Sequence, residues 1–255
     1  MLSRSRNSLA ICYWLACLLA IPPLVALADS TAPTPLIKEL SKPTDIIPFK
    51  AKYTLKKGGV AVASVKRELR QTQDGDYVFE SYSKPVGIAT FFVKDIIVER
   101  SQLQRMDNYF RPESYSYQRT GGKKDKRIKL TFDWENNKAT SSINEKNWKI
   151  NIHDHVQDKL LYQLSIMYDL NNSDKKLSYD VADGDRLKDY SFRVLGQETI
   201  STNIGLVDTV KIKREIGKKS LTIWCATNHN YLPVKIEQND EDGDFDLYIE
   251  SIAGI

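Results

Sequence analysis

Apolar and polar positions alternate with a period of two over most of the chain from Phe49 onward, the pattern of strands with one wet face. Phe49, Ala51, Tyr53 and Leu55 are separated by Lys50, Lys52 and Thr54, and Gly58-Gly59 then reads as a hairpin turn into a strand over 60–65. Asp74-Gly75-Asp76 predicts a turn into 77–82, and a long β-rich segment over 91–103 follows the Pro85/Gly87 break. Pro112 opens a strand at 114–117, and Ile128, Leu130, Phe132 and Trp134 oppose Lys129, Thr131 and Asp133. Strands are expected again at 177–181, 190–195, 206–215, 221–226, 232–237 and 245–252, with turns at Gly184, Gly196, Gly217 and Gly243.

The alternation lapses once. Val156, Leu160, Leu161, Leu164, Met167 and Tyr168 follow helical spacing, with Asp154 placed to cap the start and Asn171-Asn172 to stop it. The pattern predicts one amphipathic helix over about residues 155–169. Strands at such spacing around one helix predict a mainly β fold: a single strongly curved antiparallel sheet or half-barrel, with the helix packed against it.

The first 28 residues break with this pattern. Arg4 and Arg6 precede a mostly apolar stretch from Leu9 to Leu27, and Ala26-Leu27-Ala28 ends it, which is the make-up of a cleavable signal peptide over 1–28. The uninterrupted apolar run from Leu9 to Ile21 is short for a bilayer span, which argues against a membrane anchor. Trp14 stands where a lipobox before Cys17 needs a small aliphatic residue, so lipid anchoring is not expected. Residues 29–48, with Pro33, Pro35, Pro43 and Pro48, read as a flexible leader, and 49–255 as a single β-rich domain. The expected location is the periplasm.

Charge and cysteine content change meaning once the signal is set aside. The net charge of +4 loses Arg4 and Arg6 and no acid, which leaves +2 with interspersed signs and no case for nucleic acid. Two of the three cysteines, Cys12 and Cys17, lie in the signal, so Cys225 stands alone in the mature chain and no disulfide framework is expected.

Four groupings of residues bear on chemistry. Cys225 with His229 resembles a nucleophile and base, but no orienting Asn or Asp motif accompanies it, and cysteine beside Trp224 reads better as core. His153, His155 and His229 lack a standard metal-ligand spacing. Asp183-Gly184-Asp185 and Glu241-Asp242-Gly243-Asp244 resemble fragments of calcium loops, but neither completes the pattern, and Asp-Gly pairs form hairpins. The basic run Lys123-Lys124-Asp125-Lys126-Arg127, with Lys129, would attract phosphates or anionic headgroups, or simply protect a solvated hairpin edge. No Walker loop or dinucleotide fingerprint is present, so no cofactor, no metal and no catalytic residue is expected.

Several segments together resemble one family. They are Tyr53-Thr54-Leu55 through Gly59 to Ala63, Ser83-Lys84-Pro85-Val86-Gly87 before Phe91-Phe92, Arg111-Pro112-Glu113-Ser114-Tyr115, and Gln157 to Leu170. Further on come Tyr190 to Glu198, Thr209 to Lys213, and Leu221-Thr222-Ile223-Trp224-Cys225 leading to Leu232-Pro233-Val234-Lys235-Ile236. In order and spacing these resemble the domain-of-unknown-function 3108 family of bacterial envelope proteins. The resemblance implies an exported, β-rich protein, similar in architecture to the lipoprotein-carrier half-barrel, in which a curved sheet wraps an apolar cavity around a helix.

The functional expectation is a non-enzymatic binding or chaperone-like protein of the cell envelope, holding a lipid, a glycolipid or an envelope-protein segment in an apolar concavity. The alternatives are an envelope protein that binds partners without a small ligand, and a hydrolase using Cys225 or His153 and His155. The residues expected to line the concavity are the strand aromatics Phe79, Tyr82, Phe91, Phe92, Tyr115, Tyr117, Phe132 and Trp134. A membrane surface is also among the expected partners.

Overall fold

The computed structural model of the chain describes residues 47–122, 125–172, 176–239 and 243–255. The expected signal peptide and most of the expected leader lie outside the described residues, as do Lys123, Lys124, Glu241 and Asp242.

Two antiparallel meanders make one large sheet. The first runs through β1 (Phe49–Lys57), β2 (Val60–Gln71), β3 (Tyr77–Pro85), β4 (Ile96–Arg105), β5 (Phe110–Thr120), β6 (Lys126–Asp133), β7 (Lys138–Ile143) and β8 (Lys146–Asn151). A small excursion follows: β9 (Gln157–Asp158), helix α1 (Tyr162–Asn171), β10 (Ser178–Asp183) and β11 (Arg186–Ser191). The second meander runs through β12 (Arg193–Thr202), β13 (Gly205–Ile216), β14 (Lys219–Ala226), β15 (Leu232–Asn239) and β16 (Phe245–Ala253). β16 pairs antiparallel with β1, with Leu247 opposite Leu55, which fuses the meanders into 13 strands in the order β12-β13-β14-β15-β16-β1-β2-β3-β4-β5-β6-β7-β8.

The sheet is open, with β12 and β8 at its edges, and it curls. β13 and β16 stand three strand spacings apart, roughly 14 Å in a flat sheet. Asn203, in the turn between β12 and β13, nonetheless donates a 2.6 Å hydrogen bond to Glu250 on β16. The inner face carries the core: Tyr53, Leu69, Phe79, Leu103, Tyr115 and Leu130 are all nearly inaccessible. The expected hairpin at Gly58-Gly59 is present, both glycines having φ of 55° and 82° in the region that side chains disfavour.

Three local expectations are corrected. The helix begins at Tyr162 rather than near residue 155, because Gln157 and Asp158 are extended and pair in parallel with Val181 and Ala182 of β10. The turn that enters it is held by Asp158, whose Oδ1 accepts the Leu160 and Leu161 N–H groups at 2.8 Å, and Leu161 is the N-cap; Asp154 makes no such contact and lies in a turn with His155 at φ 67°. α1 is also not one-sided. Leu164 and Met167 join the main core, whereas Tyr162 and Ile166 join a second core with Tyr179, Tyr190 and Phe192, so both faces are covered.

The β-rich segment expected from residue 91 begins at Ile96, since Gly87–Phe91 form a 3₁₀ turn. β7 and β8 add two strands to those expected: the inner positions of β7 are small, with Ala139 and Ser141 fully buried, and β8 is short, with Ile150 alone of its side chains in the core.

Candidate functional site

Strand parity sets which side chains enter the concavity. On β2, Val65, Arg67 and Leu69 face inward while Lys66 and Glu68 face out; on β4, Ile97, Glu99 and Ser101 do the same. The registers then place Arg67 opposite Ser81, Ser81 opposite Glu99, and Glu99 opposite Tyr117. A polar row therefore crosses four adjacent strands on the inner face.

Above this row lies a cleft of about 360 Å³, at the low end of the range for small-molecule sites. Its apolar walls come from both meanders: Leu55, Val65 and Ile97 on one side, Ile223, Ile236 and Leu247 on the other. The segment entering α1 covers it with Lys159, Tyr162 and Gln163. Ser83 and Ile97, at the strand ends flanking the β3–β4 connection, lie at one end of it.

The polar groups are unevenly satisfied. Arg67 lies over the Tyr53 ring, 5.3 Å from its centroid, and its Nε is buried without a hydrogen-bond partner. Among the described residues it forms no ion pair. Gln163 Oε1 is likewise buried and unpartnered. Glu99 accepts a 2.6 Å hydrogen bond from Tyr115, and Lys159 pairs with Asp183 at 3.3 Å. Burial pushes the Tyr53 phenol up to about 12, against the pull of Arg67, and its hydroxyl donates to the Pro233 carbonyl at 3.0 Å. Burial, with the Glu99 carboxylate beside it, raises the Tyr115 phenol well above the usual range. Each phenol stays protonated. The site combines the Arg67 guanidinium with the Glu99 carboxylate and the Ser81 and Ser83 hydroxyls in a partly apolar frame.

The eight expected aromatics do not form one surface, and none of them lines this cleft. Phe79, Tyr115 and Phe132 are core; Phe79 packs edge-on against Phe49 at 5.9 Å. Tyr117 and Trp134 are half-buried against that core, with Trp134 stacked on Phe132. Tyr82 has the opposite parity and faces out, and Phe91 and Phe92 stand 78% and 82% exposed beyond the end of β3. Arg67 and Glu99 were legible by another signal, a charge at an inward position between Val65 and Leu69 or beside Ile97.

The other groupings resolve locally. Cys225 is fully buried, and burial alone raises its thiol far up, so a thiolate is disfavoured. His153 faces Asp180 at 3.1 Å, His155 packs on Tyr109, and His229 lies against the Ile255 carbonyl. Among the described residues, no three His, Cys, Asp or Glu side chains are grouped to hold a metal ion. Asp183 and Asp185 sit on the β10–β11 hairpin. Although burial opposes it, Lys188 and Lys159 hold the Asp183 carboxyl below the usual range.

Residues 49–250 match the family model described as protein of unknown function DUF3108. The chain belongs to the DUF3108 family. No curated protein matches this DUF3108 chain. Among solved structures it is similar to the beta-barrel-like protein of domain of unknown function DUF1849 from Brucella abortus, at 9% identity and a TM-score of 0.55, covering 82% of this chain and 98% of that one. It also aligns with a structure of PNGF-II at 10% identity and a TM-score of 0.36, covering 82% of this chain and 29% of that one. At such identity the first likeness speaks to fold alone: a curved β architecture shared between two families of unknown function.

Proposed function

We propose that this chain is an exported, non-enzymatic binding protein of the cell envelope. In this reading the cleft between the two meanders holds an amphiphile with an apolar tail and an acidic head. The observation that carries the reading is Arg67: a guanidinium with a buried, unpartnered Nε in a cleft with apolar walls on two sides. A buried polar group without a partner is costly, and a carboxylate or phosphate would supply the missing acceptor. Ser81, opposite Arg67 in the register, and Gln163 line the same cleft and would take neutral polar atoms of that head. The signal-like residues 1–28 support export.

The test is organic extraction of the protein purified from its native envelope fraction, followed by mass spectrometry, together with displacement of a fluorescent fatty-acid probe. Arg67→Met is expected to weaken a fatty acid about tenfold and leave the matching fatty alcohol unchanged. An empty extract together with no probe binding sinks the reading.

A second reading, a partner-binding protein without small ligand, draws on edge strand β12. Its Val194 and Leu195 are exposed beside an unpaired backbone edge. Crosslinking in intact cells that captured one protein through β12, with no lipid in the extract, would favour it.

A further inference from the structure

The β3–β4 connection presents its hydrophobic side chains outward. Ile88, Phe91, Phe92, Val93 and Ile96 are all exposed within nine residues, with Ile88 at 64% and the two phenylalanines higher still. Soluble surfaces scatter such residues singly, so a contiguous group at one tip calls for a partner. The patch continues down the outer face, where exposed Tyr82 and Val98 pair across β3 and β4.

The tip is held in shape rather than left loose. Val86 donates to the Val62 carbonyl at 3.1 Å, Phe92 and Val93 both donate to Ala89, and Thr90 caps back onto Gly87. Ala89 alone of the 3₁₀ turn points inward. Backbone order with apolar side chains turned out is what a preorganised insertion element needs.

The surrounding charge selects the partner. Lys84 and Lys94 flank the turn, are exposed, and form no ion pair among the described residues. The neighbouring β5–β6 hairpin adds exposed Lys126 and Arg127 against Asp125, while Asp95 is engaged by Arg119 at 3.5 Å. Aromatic rings at a tip with lysines behind them match a bilayer interface carrying anionic lipids: rings enter the acyl boundary and ammonium groups stay at headgroup depth.

We propose that the Val86–Asp95 connection docks the protein onto an anionic membrane surface by inserting Phe91 and Phe92, with Lys84 and Lys94 at the headgroups. Docking does not depend on the cleft being occupied. It would, however, bring Ser83 and Ile97, at the cleft's end, against the bilayer.

The experiment is flotation of the exported protein, expressed from its full-length sequence, with protein-free vesicles of phosphatidylethanolamine and about one quarter phosphatidylglycerol. The wild type is expected to float. Phe91→Ser/Phe92→Ser is expected to bind about tenfold less, and Lys84→Glu/Lys94→Glu to lose most of its sensitivity to salt. The replaced side chains are exposed, so the melting temperature should hold in both, which separates lost docking from lost folding. An environment-sensitive fluorophore on Phe92→Cys should shift to the blue with vesicles. The same label on Ser201→Cys, exposed on edge strand β12, should not, and any other reactive thiol is common to both. Three results would overturn docking: a wild type that stays with the soluble fraction, a Phe91→Ser/Phe92→Ser variant that floats equally, or binding only to native envelope vesicles that protease treatment abolishes. The last would assign the patch to a protein partner.

Discussion

Ser101 donates a 2.5 Å hydrogen bond to Asp158, joining the inner face of β4 to the turn that enters α1 through two fully buried side chains. The same carboxylate accepts the Leu160 and Leu161 N–H groups, so three donors fix where the chain leaves the sheet and turns helical. That turn carries Lys159, Tyr162 and Gln163 over the cleft.

Stability should therefore depend on pH through Asp158. Burial raises this carboxyl from 3.8 to about 6, outweighing its hydrogen bonds to Ser101 and the Leu160 and Leu161 amides. The folded state then holds the proton more tightly than the unfolded state, so stability falls as pH rises from about 4 to about 6 and is level above that. The span corresponds to at most about 3 kcal/mol. Asp158→Asn keeps an acceptor for the two amides and removes the titration. Urea midpoints across this range should show a flatter profile in the variant and greater stability than wild type near neutrality; parallel profiles would refute the assignment.

Arg67 should act against stability and for binding. It is a half-buried cation without an ion pair, and replacing such a charge by an apolar chain of similar volume is often neutral or stabilising. Arg67→Met is expected to raise unfolding stability by 0 to about 2 kcal/mol, read by denaturant titration, while it weakens acidic amphiphiles. A loss of stability would mean that Arg67 is a structural support.

Individual strands could be read in advance where parity was clean, as in Phe49, Ala51, Tyr53 and Leu55, and the hairpin at Gly58-Gly59 followed from two glycines suited to positive φ. They could not be read where burial came from small residues: Ser101, Ala139 and Ser141 are core positions that no hydrophobicity pattern marks. Val156, Leu160 and Leu161 have helical spacing yet precede the helix, because Gln157 and Asp158 gain a parallel partner in β10, a contact distant in sequence. The aromatics misled for a related reason. Tyr82 and Phe79 are both aromatic residues of β3, and three positions in an extended strand put them on opposite faces.

Leu164 should be among the most costly side chains to shorten. It is fully buried in the main core on α1, where the helix is covered on both sides and the surroundings cannot easily collapse. Leu164→Ala is expected to lose about 3 kcal/mol. Leu206→Ala, at an exposed position on β13, should change stability by less than about 0.5 kcal/mol. Equal effects in thermal or chemical unfolding would contradict the core as described.

Gly121 ties the β5–β6 hairpin to the docking tip, although it contributes no side chain to either. Its φ of 89° is disfavoured for other residues, and a Cβ there would overlap the Lys94 backbone carbonyl, an atom that cannot move without moving Val93 and Asp95 with it. Gly121→Ala is expected to cost about 1–3 kcal/mol through backbone strain and to shift the connection that carries Phe91 and Phe92. Vesicle flotation should fall even though every apolar and basic side chain of the tip is intact. Were binding to stay at the wild-type level while stability dropped, the position of the tip would not matter to docking, and only the chemistry of its side chains would.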